Sequence, residues 1–264
     1  MRAHCNIERS SRPTPSAADI VQTGVLRLHG TSRQRPTPTM FTLPGLTARA
    51  NWGGVSGLEA AGFSRLARAV SAIVDARELL LAEYDAVVAA RPASDYVPGE
   101  HSLHEGTWDW HSFVDKGERR GAMAERAPKT AALLESVPRL MTGVPFGFAF
   151  FSSLRPDSQI APHSSPMNLR LRVHVPLRLP PDGASGECSM GLAEDCLQWR
   201  LGEAIVFDDS FVHATWNRTD HDRVVLLFDV WHPELADDEV FAITSMFGRA
   251  REAQRERSES SGAQ

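Results

Sequence analysis

Between residues 169 and 175 the chain alternates without interruption. Leu169, Leu171, Val173 and Val175 are aliphatic, and Arg170, Arg172 and His174 between them are ionisable. A period of two puts the two sets on opposite faces of a β-strand. Similar short apolar runs predict strands at 146–153, 187–192, 197–200, 204–207, 212–216 and 223–231, with turn formers such as Pro180-Pro-Asp-Gly183 between them. Upstream the period lengthens. From 62 to 90, Leu66, Val70, Ile73, Leu80, Tyr84 and Val87 recur at helical spacing and predict one long helix, ended by Pro92. Residues 128–137 read as a shorter helix with proline in its first turn. Helices followed by many short strands predict a β-rich α+β fold, a jelly-roll with helices covering one side. Residues 1–40, rich in Ser, Arg, Pro and Thr, read as a flexible N-terminal arm, 41–250 as the folded domain and 251–264 as a disordered tail.

Composition narrows the class. With 264 residues, 42% hydrophobic and 23% charged, the chain can bury one substantial core. A net charge of −5 argues against a nucleic-acid partner, since phosphate contacts require a basic excess. No run approaches the roughly 20 apolar residues of a membrane span, and the N-terminus has no apolar signal core. Cys5, Cys188 and Cys196 form no disulfide framework, although Cys188 and Cys196 could meet across a hairpin. The expectation is a cytoplasmic protein with no membrane partner.

Taken singly, the ionisable residues have plain explanations. Arg170, Arg172 and His174 suit the wet face of an antiparallel strand. His163 follows Pro162 in a turn, His213 sits amid Phe211, Val212 and Trp216, and Asp208-Asp209 reads as a turn cap. Arg223 is harder to explain away. It opens the apolar run Val-Val-Leu-Leu-Phe, and a buried arginine needs an anion. Together, imidazoles and convergent guanidiniums are what holding a metal beside an anionic co-substrate requires.

The ordered motifs Pro162-His-Ser-Ser-Pro-Met-Asn-Leu-Arg-Leu-Arg-Val-His174, Phe207-Asp-Asp-Ser-Phe-Val-His213 with Arg223 ten residues on, and Asp229-Val-Trp-His-Pro-Glu-Leu235 resemble the aspartyl/asparaginyl β-hydroxylase family. Phe41-Thr-Leu-Pro-Gly-Leu-Thr47 and Ala127-Pro-Lys-Thr-Ala-Ala-Leu-Leu-Glu135 resemble family segments in the same order. The resemblance implies a double-stranded β-helix, cupin-like, working as an Fe(II)- and 2-oxoglutarate-dependent oxygenase that consumes O2. It implies His163 and His213 as iron ligands, with Ser152, Arg172, His174 and Arg223 around 2-oxoglutarate. The wider class adds a ligating acid two residues after the first histidine. Here that position is Ser165, and the β-hydroxylase family likewise lacks the acid. Related halogenases place chloride there, so halogenation or another oxidative tailoring reaction is the alternative. A non-catalytic metal-binding jelly-roll is the third reading.

For substrate, the resemblance implies a contact from Arg170 to a carboxylate, and Trp108 and Trp110 lie in the family's substrate-recognition region. Leu103 stands where the animal peptide hydroxylases carry a second arginine. The membrane anchor and helical repeats of those enzymes have no counterpart in the sequence. These departures predict a stand-alone hydroxylase acting on a small carboxylate, amino acid, peptide or secondary metabolite.

Overall fold

In the computed structural model, which describes residues 41–97, 103–181 and 186–262, the alternating stretch becomes an interior strand of a six-stranded sheet. Among the described residues eleven strands form two antiparallel sheets: β1 (His104–Glu105), β2 (Trp108–Asp115), β3 (Glu118–Arg119), β4 (Ala149–Leu154), β5 (Ser158–His163), β6 (Arg170–Arg178), β7 (Cys188–Leu192), β8 (Asp195–Leu197), β9 (Ile205–Phe207), β10 (His213–Asn217) and β11 (Arg223–Trp231). The larger sheet runs β3-β2-β4-β11-β6-β9 and the smaller β1-β5-β10-β7-β8. Two facing antiparallel sheets with helices stacked on one outer surface are the jelly-roll the strand pattern predicts. Among the described residues no helix is long and apolar enough to cross a membrane.

The central strand β11 is buried at every position, which is why its sequence is an almost continuous apolar run. Its even-numbered side chains Val224, Leu226, Phe228 and Val230 join Leu171, Val173, Val175 and Leu177 of β6 in the layer under the helices. Val225 and Leu227 face the other sheet, with Phe150, Met190, Leu192 and Phe207. By the same alternation Arg170, Arg172, His174, Arg223 and Asp229 project between the sheets. The polar face of β6 is therefore interior, and the wet-strand reading does not hold. Pro176, which cannot donate to a ladder, sits beyond the last β6–β9 pair and beside an irregularity in the β6–β11 register.

Helices α1 (Gly54–Ala60), α2 (Ser64–Asp75) and α3 (Arg77–Ala90) precede the strands, α4 (Gly121–Arg126) and α5 (Pro128–Ser136) lie between β3 and β4, and α6 (Asp237–Gly262) follows β11. The long helix expected over 62–90 is two. The break falls at Ala76, whose N–H still bonds to Ala72 and whose carbonyl starts α3 through Leu80. Arg77 donates to the Leu177 carbonyl there, tying the junction to the end of β6. Neither Gly nor Pro marks the spot, so the stripe alone could not reveal it. Both helices still bury the stripe: Leu66, Ala67, Val70, Ile73, Leu80, Tyr84 and Val87 pack into the core beneath the sheet.

Two further expectations need correction. Residues 108–115 and 158–163 are strands, which the sequence pattern did not single out. Residues 251–262 continue a helix instead of forming a disordered tail. Asp237, Asp238 and Glu239 stabilise its first turn against the helix dipole, and Ile243 anchors it in a core with Met141, Leu169 and Trp231. Once nucleated, an Ala-, Arg-, Glu- and Gln-rich segment propagates readily. Arg251, which bonds to the Gly143 carbonyl, helps to hold it. Cys188 and Cys196 are both free thiols, the first buried and the second exposed. The N-terminal arm, 1–40, lies outside the described residues.

Candidate active site

The last residue of β5 and the first of β10 are cross-strand partners: His163 pairs with His213. Their ring centroids lie 4.1 Å apart. Each Nδ1 is tied to the carbonyl two residues earlier, His163 to Ala161 at 2.8 Å and His213 to Phe211 at 2.9 Å. With Nδ1–H donating, each Nε2 is left as a lone-pair donor, the arrangement metal-ligating histidines use. Burial keeps both rings neutral, pushing His163 down to about 3, helped by the neighbouring His213, and His213 to about 4 against the Asp209 charge. Among the described residues no group of three or more His, Cys, Asp or Glu is placed to hold a metal. Ser165 is buried where an acid would complete a triad, and Asp208 accepts the Ser210 N–H at 2.9 Å, capping a turn as the sequence suggested.

Beside the histidines, Arg170 and Arg172 are not the free guanidiniums that the sequence led us to expect. Arg170 donates from Nε to both Asp209 oxygens at 3.1 Å, from Nη2 to Asp209 at 2.5 Å, and from Nη1 to Asp229 at 3.0 Å and to the Phe146 carbonyl. Arg172 grips Asp229 bidentately at 2.8 and 2.9 Å and reaches Asp209 at 3.5 Å. Asp229 is the direct cross-strand partner of Arg172, so the β6–β11 register builds this pair. Burial acts to raise the Asp209 carboxyl, but the Arg170 and Arg172 charges overcome it and hold the group well below the usual carboxylate range. The result is a closed quartet of two cations and two anions. Asp229 was missed in the sequence, yet an acid inside Leu-Leu-Phe-Asp-Val-Trp was a signal: a buried carboxylate implies a cation opposite.

Arg223 is different. It is 1% exposed, and among the described residues no carboxylate reaches it. Nη1 lies 3.3 Å from the Ser152 hydroxyl and 3.4 Å from the Ser152 carbonyl, Nε has no hydrogen-bond partner, and the guanidinium carbon sits 4.7 Å over the Trp199 ring. Burial alone pulls it down to about 10, only slightly offset by Cys188. Trp199 also donates to His174 Nδ1 at 3.3 Å, which leaves the His174 proton on Nε2, buried and without a partner. Burial, then the Arg223 and Arg172 charges, keep His174 well below the ordinary histidine range. Trp108 donates to the Ser152 hydroxyl at 2.9 Å, so that hydroxyl's own proton is available elsewhere. Trp199 escaped the sequence reading because nothing local separates it from an ordinary core tryptophan.

A cleft of about 480 Å³ opens beside His163, with Trp108, Trp110, Arg170, Arg172 and Asp209 among its other lining residues. The three sequence-predicted substrate residues, Arg170, Trp108 and Trp110, therefore share one wall system with His163.

A family profile described as Aspartyl/asparaginyl beta-hydroxylase matches residues 75–233. The human aspartyl/asparaginyl beta-hydroxylase is 36% identical over 141 residues, which cover 53% of this chain and 18% of that protein. Aspartate beta-hydroxylase domain-containing protein 2 of Xenopus tropicalis is 29% identical over 177 residues, 65% of this chain and 46% of the relative. The chain thus spans less than half the length of either. Among solved structures, a Pseudomonas putida prolyl-4-hydroxylase superposes with a TM-score of 0.36 at 16% identity, over 61% of this chain and 97% of its own. With a matching profile over more than half its length, the chain belongs to the aspartyl/asparaginyl β-hydroxylase family.

Proposed function

We propose that this protein is an Fe(II)- and 2-oxoglutarate-dependent hydroxylase with a two-histidine iron site. The observation that carries the reading is the opposed pair His163–His213, both Nδ1 atoms occupied by carbonyls and both Nε2 atoms left as donors. Neutral imidazole suits a borderline cation such as ferrous iron. The unsatisfied groups beside it suit a dicarboxylate: Arg223 Nε and His174 Nε2 are buried donors without acceptors, and the Ser152 hydroxyl stands next to them. A keto-diacid would satisfy donors that the protein alone leaves unpaired, at sites where leaving them so is costly.

When bound, the iron would supply the oxidising chemistry, with O2 and 2-oxoglutarate consumed and an aliphatic C–H converted to C–OH. The chain's own residues would do the rest. His163 and His213 would hold the metal, and Arg223 would clasp the distal carboxylate with Ser152 and His174 beside it. Arg172, held by Asp229, would add positive potential and fix the orientation of the inner face. The apolar walls at Trp108 and Trp110 would keep water from the reacting carbon. The substrate would be a small molecule or peptide entering the cleft.

Succinate formation with ferrous iron and 2-oxoglutarate over a panel of amino acids and peptides tests the activity. Mn(II) titration followed by calorimetry tests the site without turnover. His213→Ala should lose Mn(II) binding while keeping its fold. Retained metal binding in that variant, or no dependence of Mn(II) affinity on either histidine, would reject the assignment. Product mass measured in chloride buffer separates hydroxylation from halogenation.

A further inference from the structure

The first described residue, Phe41, is fixed at the rim of the cleft. Its N–H donates to the Pro166 carbonyl at 3.0 Å, and it forms a parallel bridge with Met167. Two residues on, the Leu43 N–H and carbonyl both pair with the Asn168 side-chain amide, each at 2.9 Å. Phe41 and Leu43 are buried with Met167 and Leu169, and Phe146 packs against the same cluster. This anchor has a direction. In a parallel pairing both segments run the same way, so the chain traced backward from Phe41 is aimed along Pro166, Ser165 and Ser164 toward His163. All four of those residues line the cleft.

The sequence shows what precedes the anchor. Residues 29–40, with Arg33, Arg35, Pro36 and Pro38, contain no apolar run. Before them lies Ile20-Val-Gln-Thr-Gly-Val-Leu-Arg-Leu28, the longest apolar stretch of the first forty residues. A twelve-residue tether has a root-mean-square span of about 20 Å, which is ample for a cleft that begins beside its fixed end. A tether of matched length holds its cargo at an effective concentration in the millimolar range. The cleft offers that cargo the half-buried rings of Phe146 and Phe148, and behind them Trp110 stacked on Phe150 at 4.2 Å. Rings held by their neighbours take up aliphatic side chains through dispersion and area burial.

We propose that the stretch Ile20–Leu28 docks in the outer part of the cleft, with Leu26 and Leu28 on one face of an extended segment against Phe146 and Phe148, and that it is a strap competing with substrate for entry. The docking rests on the anchor, the tether and the ring wall; its effect on turnover rests on the oxygenase reading. The inner end of the cleft, at His163, Arg170 and Arg172, stays open to metal, co-substrate and the reacting group. A strap at about 1 mM effective concentration with a dissociation constant of about 0.1 mM lowers apparent substrate affinity about tenfold.

The test introduces Leu26→p-benzoylphenylalanine, a photo-cross-linker, into the full chain and maps the adducts by mass spectrometry in a mixture of isotopically light and heavy protein. Adducts within one chain on the peptide carrying Phe146 and Phe148 are the expected result. Adducts only between light and heavy chains, adducts confined to the second cavity at Phe63, Pro138 and Trp231, or no adduct at all overturn the proposal. A second measurement titrates a fluorescein-labelled peptide of residues 18–30 into the parent and into the double variant Leu26→Glu, Leu28→Glu. With its own strap displaced, the double variant should bind the peptide about tenfold more tightly, and equal binding overturns the proposal. For any substrate that supports succinate formation, the same variant should lower KM about threefold to tenfold with kcat unchanged, and an unchanged KM rejects the competing role. Absence of turnover with every candidate substrate rejects the oxygenase reading, while the cross-link and peptide results still decide the docking.

Discussion

Arg223→Met separates a structural guanidinium from one that waits for a ligand. In the folded protein this cation has a hydroxyl and a carbonyl at 3.3–3.4 Å, an indole face at 4.7 Å and, among the described residues, no acid. Burial lowers it to about 10, an effect on the order of 3 kcal/mol of lost solvation that no counter-ion returns. An arriving carboxylate recovers much of that cost, and removing one partner of such a desolvated pair weakens binding by about 2–5 kcal/mol. The variant should therefore bind 2-oxoglutarate at least thirtyfold more weakly, about the lower end of that range at 1.4 kcal/mol per decade. Its ligand-free stability should be unchanged or raised, since methionine fills a similar volume without a charge to bury. Calorimetry with Mn(II) gives the first quantity and urea midpoints give the second. A large loss of ligand-free stability with 2-oxoglutarate affinity intact would refute the reasoning, because it would mean the guanidinium is a strut of the fold.

Asp229→Asn should behave in the opposite way, leaving Arg170 and Arg172 short of a counter-charge and costing about 3–5 kcal/mol of stability, read as a lowered urea midpoint. A midpoint within error of the parent would show the quartet to be dispensable. Trp199→Phe keeps a ring under Arg223 but removes the hydrogen bond to His174, so the KM for 2-oxoglutarate should rise about threefold to tenfold with little change in kcat. A fall in kcat alone would point to a different role, and Trp199→Ala should exceed the Phe variant in KM. Metal-free protein should lose stability on acidification from pH 7. His111, His163, His174, His213 and His232 are all held below the ordinary histidine value by burial, so unfolding takes up protons once the pH falls below about 6.5. Stability present above that pH is lost as it drops through the folded values, by at most about 1.4 kcal/mol per pH unit for each histidine. Asp208, raised to about 6 chiefly by burial, opposes the trend by taking its proton in the folded state first. Urea midpoints that rise between pH 7 and 5 would contradict this balance.

Much of this was written along the chain. Strand alternation at 169–175 and the apolar run at 223–231 located β6 and β11, because a period of two forces side chains onto defined faces whatever surrounds them. The family resemblance brought His163, His213, Arg223, Ser152 and His174 to attention before any contact was known. The helical stripe at 62–90 located the outer layer, although the break at Ala76 depends on how the stripe meets a twisted sheet. Residues 108–115 went unrecognised as a strand because they are buried on both faces at several positions, which erases the alternation.

Which charges are free was decided only in three dimensions. Arg170, Arg172 and Arg223 are alike as letters, and each lies on an inward-facing position of the larger sheet. Strand register sets Asp229 opposite Arg172, and the turn before β10 delivers Asp209 to Arg170, while among the described residues nothing acidic is delivered to Arg223. The sequence specified the kinds of groups and the faces they occupy, since those follow from local periodicity. Their pairing follows from distances between segments far apart in the chain, and in a low-dielectric interior that pairing determines which cation remains available for a ligand.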